Sequence, residues 1–170
     1  MPVDFVNALP QLARVLLADD HAAVLAQVIN RLTGTFEIVG SVGNGPDLIR
    51  AVAHLDPDVV VLDITMPGMD GIEVALKLQR AGCRAKLVFL TVHDDPDYMR
   101  AALQAGGTAY VVKSRLAHDL VSAIHEALAG RGFVSPTSSL EENKATSSKG
   151  NAHFGGTESR TNINGKRSKK

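Results

Sequence analysis

At 170 residues, 45% of them hydrophobic, the chain is long enough for one domain with a sizeable core and not comfortably for two. Its formal net charge of zero divides into an acidic stretch, residues 1–136 with 11 basic and 15 acidic side chains, and a basic one, residues 137–170 with 7 and 3; the acidic body offers no general footprint for a nucleic-acid backbone. A single cysteine, Cys83, excludes an internal disulfide framework, no run approaches the roughly 18 apolar residues of a membrane span, and the acid and proline in MPVDFVNALPQLAR argue against a secretory leader, so a soluble cytoplasmic protein is expected.

Residues 1–12 read as an ill-defined N-terminal extension. From Ala13 the chain alternates between two hydrophobic periods. The first short apolar run, Val15 to Ala18, ends in Asp19-Asp20. A stripe at helical spacing follows: Val24, Leu25, Val28, Ile29 and Leu32. Phe36 to Val42 is the second run, and Gly45-Pro46-Asp47 then places a proline where a first helical turn accepts it. Val59 to Leu62 is the third run and ends in Asp63. Leu87 to Leu90 is the fourth and ends in Thr91, with Asp95-Pro96 opening another helix. Ala109 to Val112 is the fifth and ends in Lys113, before a last helical stripe of Leu120, Val121, Ile124 and Leu128. Several runs are continuously apolar, as strands buried on both faces require. Residues 13–130 therefore form the domain. Residues 131–170 are expected to be a disordered polar and basic tail, because the segment after Pro136 has no hydrophobic period and too little apolar area to offset the entropy of ordering.

Five strands alternating with five helices in about 115 residues predict an α/β, doubly wound parallel sheet of flavodoxin-like (βα)5 type, strand order 2-1-3-4-5. In such a sheet the C-terminal strand ends share one edge, and ligands bind there where the strand order reverses. Asp19, Asp20 and Asp63 then share a cleft, with Thr91 and Lys113 beside it. Three carboxylates in one cleft repel each other unless a cation and a fixed ammonium relieve them. The all-oxygen set favours a hard cation, Mg2+, and Lys113 supplies the ammonium. One carboxylate so balanced can act as a nucleophile toward phosphorus, with Lys113 and the Thr91 hydroxyl stabilising the transferred group.

The strings VLLADDH, VVVLDITMPGMDGIEV, LVFLTVHDD and AYVVKS closely resemble the receiver domain of two-component response regulators, over residues 13 to about 130. The resemblance implies that Asp63 is the phosphoacceptor, and that Asp19, Asp20, Asp63 and the Thr65 backbone carbonyl hold Mg2+, Asp20 more directly than Asp19. It also implies that Thr91 and Tyr110 form a switch pair, in which Thr91 moves toward the phosphoryl group and Tyr110 rotates inward, and that Lys113 contacts the phosphate. Ser114 stands where the family often has proline after the lysine, so a trans Lys113–Ser114 bond is expected. Val92 stands where the family often has alanine. Both departures, with GRGFVSP near the domain end, resemble the NarL/LuxR-type branch.

Other readings of single residues remain open at this point. Asp20 could instead cap the helix starting near Ala22. His21 could be a base or ligand, although a surface position beside the cleft suits it better, and His54, His93, His118, His125 and His153 show no ligand spacing. Three function classes are compatible with the sequence: a phosphorylation-controlled interaction module, a LuxR-type DNA-binding regulator lacking its output domain, and an aspartate-nucleophile phosphatase. The last wants a second Asp two residues beyond the nucleophile, where Thr65 stands. The expected partners are a sensor histidine kinase or small-molecule phosphodonor, a protein output partner and a second copy of the chain. Neither a membrane nor a specific nucleic acid is expected, and GKRSKK at the end would touch phosphates weakly and without sequence preference. The chain is expected to be a switch rather than an enzyme, its chemistry limited to its own phosphorylation and dephosphorylation.

Overall fold

The computed structural model describes residues 11–136. The tail expected from residue 137 onward, and residues 1–10 of the extension, lie outside them. In chain order the elements are β1 (Arg14–Ala18), α1 (Ala22–Leu32), β2 (Glu37–Val42), α2 (Gly45–Leu55), β3 (Val59–Leu62), α3 (Gly71–Arg80), β4 (Lys86–Thr91), α4 (Pro96–Gln104), β5 (Gly107–Val112), α5 (Leu116–Leu128) and β6 (Phe133–Val134), with a single 3-10 turn at Lys113–Arg115. All strands pair in parallel in the order β2-β1-β3-β4-β5-β6. The expected order is present, extended by one strand.

Alternation along the central strands builds two cores. Val15 and Leu17 of β1, with Val59 and Val61 of β3, pack under α1 and α5 against Val28, Leu32, Leu120 and Ile124. Leu16 and Ala18, with Val60 and Leu62, face the other way, against Leu48, Val74 and Leu78 of α2 and α3. Successive residues point to opposite faces, so a strand covered on both sides is apolar throughout, and every residue of β3 is buried. The two edge strands are the exception: neither β2 nor β6 buries a residue fully.

Short polar residues start the helices. Asn44 Oδ1 accepts from Asp47 N at 2.9 Å, Asp70 Oδ1 from Glu73 N at 2.8 Å and Asp95 Oδ1 from Asp97 N at 2.7 Å. Pro46 and Pro96 occupy first turns, where a missing N–H costs nothing. The cap position of α1 is His21, with no side-chain cap bond, so Asp20 is not spent as a cap.

The ordered domain runs past residue 130. Phe133 and Val134 pair with Ala109 and Tyr110, and Ser135 N donates to Tyr110 O at 2.8 Å. Ser135 is fully buried and its Oγ donates to Asp119 Oδ2 at 2.6 Å, while Arg115 Nε donates to the same oxygen at 2.7 Å. This corrects the expected start of the tail at 131. A two-residue strand carries no readable period; what holds it is a pair of polar side chains on α5 and the chain exit. Among the described residues no peptide bond is cis, Lys113–Ser114 included, and no helix is long and apolar enough to cross a membrane.

Candidate functional site

β1 and β3 lie side by side, Ala18 in register with Leu62, so the residues just past their ends emerge together at the C-terminal edge. Asp63 N donates to Ala18 O at 2.9 Å, which fixes the first residue of the β3–α3 loop against the end of β1. The loop then turns back tightly: Gly71 N donates to Ile64 O at 2.7 Å, and a side chain at Gly71 would collide with the Asp63 carbonyl. The glycine of DITMPGMDG is thus a packing requirement, setting the start of α3 directly on the Asp63 backbone.

Asp19 and Asp63 are 4% and 2% exposed, burial that carboxylates tolerate only when paired. The partner is Lys113, carried to the same edge by β5. Its Nζ donates to Asp63 Oδ2 at 2.7 Å and lies 2.6 Å from Asp19 Oδ2, the second contact an ion pair without hydrogen-bond geometry. Burial alone would pull the ammonium's pKa down; its close contacts with Asp19 and Asp63 and their negative charge outweigh it and hold Lys113 above the ordinary lysine value. Asp63 Oδ1 is buried without a hydrogen-bond partner, an expensive omission unless something else takes that oxygen.

Asp20 stands at the mouth. His21 Nδ1 lies 3.0 Å from Asp19 Oδ1 and 2.8 Å from Asp20 Oδ1, and the ring is largely exposed. Ligand atoms from Asp19, Asp20, His21 and Asp63 fall within 4.8 Å of one another. Three of these four side chains offer only oxygen, and one buried oxygen is orphaned, so the cluster fits a small hard cation such as Mg2+. His21 takes the surface position expected for it, yet it touches both carboxylates.

Thr91 and Tyr110 are both fully buried. Thr91 Oγ1 accepts from His93 N at 3.3 Å, and Tyr110 Oη donates to His93 O at 2.8 Å. The Tyr110 ring is already inward here, so the inward rotation implied by the resemblance is not a movement open to it from this arrangement. Its hydroxyl is held in the protonated form by burial first and then by Asp95, Asp94 and Asp63. Thr65 is exposed, its Oγ1 lying 2.9 Å from His93 Nε2. Val92 is 66% exposed.

The structure therefore brings Asp19, Asp20, Asp63 and Lys113 into one cluster and places Thr65, Thr91 and Tyr110 around it, joined through His93. His93 is the residue that sequence reasoning passed over. Besides Thr91, it bonds to residues 28 and 17 positions away, and nothing in its own neighbourhood announces those two.

A family model for the response regulator receiver domain matches residues 15–125. The chain is 33% identical over 125 residues to the response regulator GacA of Pseudomonas aeruginosa, covering 72% of this chain and 58% of that one. It is 32% identical over 134 residues to the transcriptional regulatory protein NarL of Mycobacterium tuberculosis, covering 77% of this chain and 62% of that one. The solved signal receiver domain of that NarL superposes with a TM-score of 0.69 at 30% identity, over 72% of this chain and all of that one. The chain thus spans about three fifths of the length of these two curated relatives.

Proposed function

The chain belongs to the response regulator receiver family, and on that premise we propose that it is a switch whose Asp63 accepts a phosphoryl group from the phosphohistidine of a sensor kinase or from a small phosphodonor. The observation that carries the proposal is the Asp63 carboxylate: one oxygen clamped by Lys113, the other buried without a hydrogen-bond partner at the edge where β1, β3 and β5 end.

In the transfer, a carboxylate oxygen of Asp63 bonds to phosphorus and the donor's P–N or P–O bond breaks, its electron pair leaving with the donor. Lys113 holds the attacking carboxylate in place and lies close enough to meet charge growing on the phosphoryl oxygens. Asp19, Asp20, Asp63 and the Thr65 carbonyl are the groups that would hold Mg2+. When bound, the ion supplies positive charge against the phosphoryl oxygens. His21 must yield the carboxylate oxygens it now contacts. Low exposure at Asp63 limits water at the site and favours transfer over idle hydrolysis.

The phosphoryl group then offers the Thr91 hydroxyl a stronger partner than His93 N. Giving up that 3.3 Å contact loosens the β4–α4 loop, into which the Tyr110 hydroxyl is tied. The reshaped surface of α4, β5 and α5 is read by a protein partner or by a second copy of the chain. A second reading makes the domain the receiver part of a LuxR-type DNA-binding regulator; the greater length of GacA and NarL favours it. Incubation with acetyl phosphate and Mg2+ tests the proposal. An acid-labile, slower-migrating species on a phosphate-binding gel supports it, and its absence at millimolar donor contradicts it.

A further inference from the structure

His93 makes four separate contacts, two through its backbone and two through its ring. Beyond the backbone bonds to Thr91 and Tyr110, the ring bonds through Nε2 to Thr65 Oγ1 at 2.9 Å, the tautomer deciding which atom donates. The same ring stacks on Tyr98, with centroids 3.9 Å apart and planes 15° from parallel. Thr65 lies two residues beyond Asp63 on the β3–α3 loop. Tyr98 lies near the start of α4 and is 40% exposed, so it belongs to the outer surface.

We propose that His93 is a positioning residue, a clasp through which the loop after Asp63 sets the placement of Tyr98 on the exposed face of α4. The link itself stands on the geometry. Its use in signalling rests on the proposed phosphorylation of Asp63.

A planar ring with one edge bonded to Thr65 and one face against Tyr98 transmits displacement, because it cannot follow Thr65 without sliding along Tyr98. The residues beside it, Val92, Asp94 and Asp95, are exposed, whereas the ring itself is half-buried. The route is also distinct from Thr91 and Tyr110, which engage the His93 backbone and not its imidazole. Two loops that flank Asp63 are thus joined by one side chain, whose far face is an aromatic on the outer surface.

The experiment uses the full chain with labelled tyrosine. Tyrosine occurs twice, at Tyr98 and Tyr110, and Tyr98→Phe assigns the signals. In His93→Ala the ring current on Tyr98 is lost, which marks the unclasped position of its resonances. Thr65→Val removes only the distant hydrogen bond. The proposal expects Thr65→Val to move the Tyr98 signals most of the way to their His93→Ala position, and to add nothing when combined with His93→Ala. Unmoved Tyr98 signals in Thr65→Val, or an equal Thr65→Val effect with and without His93, overturn it. With acetyl phosphate and Mg2+, at matched phosphate occupancy on the gel, the Tyr98 shift should be several-fold smaller in His93→Ala than in wild type. A wild type that takes up no phosphate, yet passes the Thr65→Val effect through His93, upholds the clasp and contradicts the phosphorylation reading alone.

Discussion

Lys113 Nζ donates to Asp63 Oδ2 across 2.7 Å, joining the end of β5 to the end of β3 through the middle of an acidic cleft. The same ammonium reaches Asp19, so one positive charge balances two carboxylates that are each almost fully buried. Removing it leaves both uncompensated. Lys113→Ala should therefore destabilise the domain by about 1–3 kcal/mol, less than the cost of breaking a fully enclosed pair because the cleft mouth admits water. Mg2+ should recover part of the loss. Urea denaturation with and without Mg2+ checks this, and an unchanged midpoint in the absence of metal contradicts it.

Asp20 is the most exposed of the three cleft carboxylates and makes no contact with Lys113 among the described ion pairs. Its charge is available to a cation. Asp20→Ala should weaken Mg2+ binding by about tenfold or more and slow phosphoryl uptake by orders of magnitude, since transfer depends on neutralising the phosphoryl oxygens. Titration followed by tyrosine fluorescence or chemical shifts measures the affinity. Equal Mg2+ affinity in wild type and variant would remove Asp20 from the site.

Much of this cleft was legible in the sequence for one topological reason: parallel strands deliver the residues at their C-terminal ends to a common edge. Asp19, Asp63 and Lys113 sit immediately after β1, β3 and β5, so knowing the strand ends was nearly enough to assemble them. The bounds of β3, Val59 to Leu62, were readable because a strand covered on both faces is apolar without interruption. β6 was not readable. Two half-buried residues have no period, and their pairing depends on Ser135 reaching the buried carboxylate of Asp119, a contact 16 positions apart. His93 escaped notice because two of its partners are distant in sequence, Thr65 on the β3–α3 loop and Tyr110 on β5, and the inward Tyr110 ring because an apolar strand does not show which way a side chain turns.

Thr91 is fully buried and its hydroxyl meets only His93 N among the described hydrogen bonds. Thr91→Ala should leave Asp63 able to take phosphate while the α4–β5–α5 surface fails to respond, because a bound group shifts only the states it engages differentially. Backbone amide chemical shifts before and after phosphorylation give the measure. Phosphorylation-induced shifts along α4 and β5 that match wild type would contradict the switch role.

Asp119 anchors the chain exit, and its acidity fixes a pH dependence. Burial raises its pKa, but hydrogen bonds from Arg115 and Ser135 and the Arg115 charge outweigh this and hold it below the ordinary aspartate value of 3.8. A depressed folded-state pKa contributes stability that is fully present above the unfolded value and is lost as pH falls through the folded one. Wild type should therefore lose this contribution only below about pH 4, whereas Asp119→Asn should be less stable at neutral pH and show a shallower acid limb. Thermal melts from pH 7 to pH 3 test it; parallel curves for the two proteins would show that Asp119 contributes no linkage.

The central claim is that Asp63 itself becomes the acyl phosphate. The most direct measurement is borohydride reduction of the protein after acetyl phosphate and Mg2+ treatment, followed by peptide mass spectrometry, because reduction of an aspartyl phosphate leaves homoserine at the phosphorylated position. The expected result is homoserine at residue 63 in wild type, and no reduced peptide in Asp63→Asn, which keeps the size of the side chain and removes the nucleophilic carboxylate. Homoserine at Asp19 or Asp20 with residue 63 unchanged, or acid-labile phosphate accumulating in Asp63→Asn at the wild-type rate, would contradict the account.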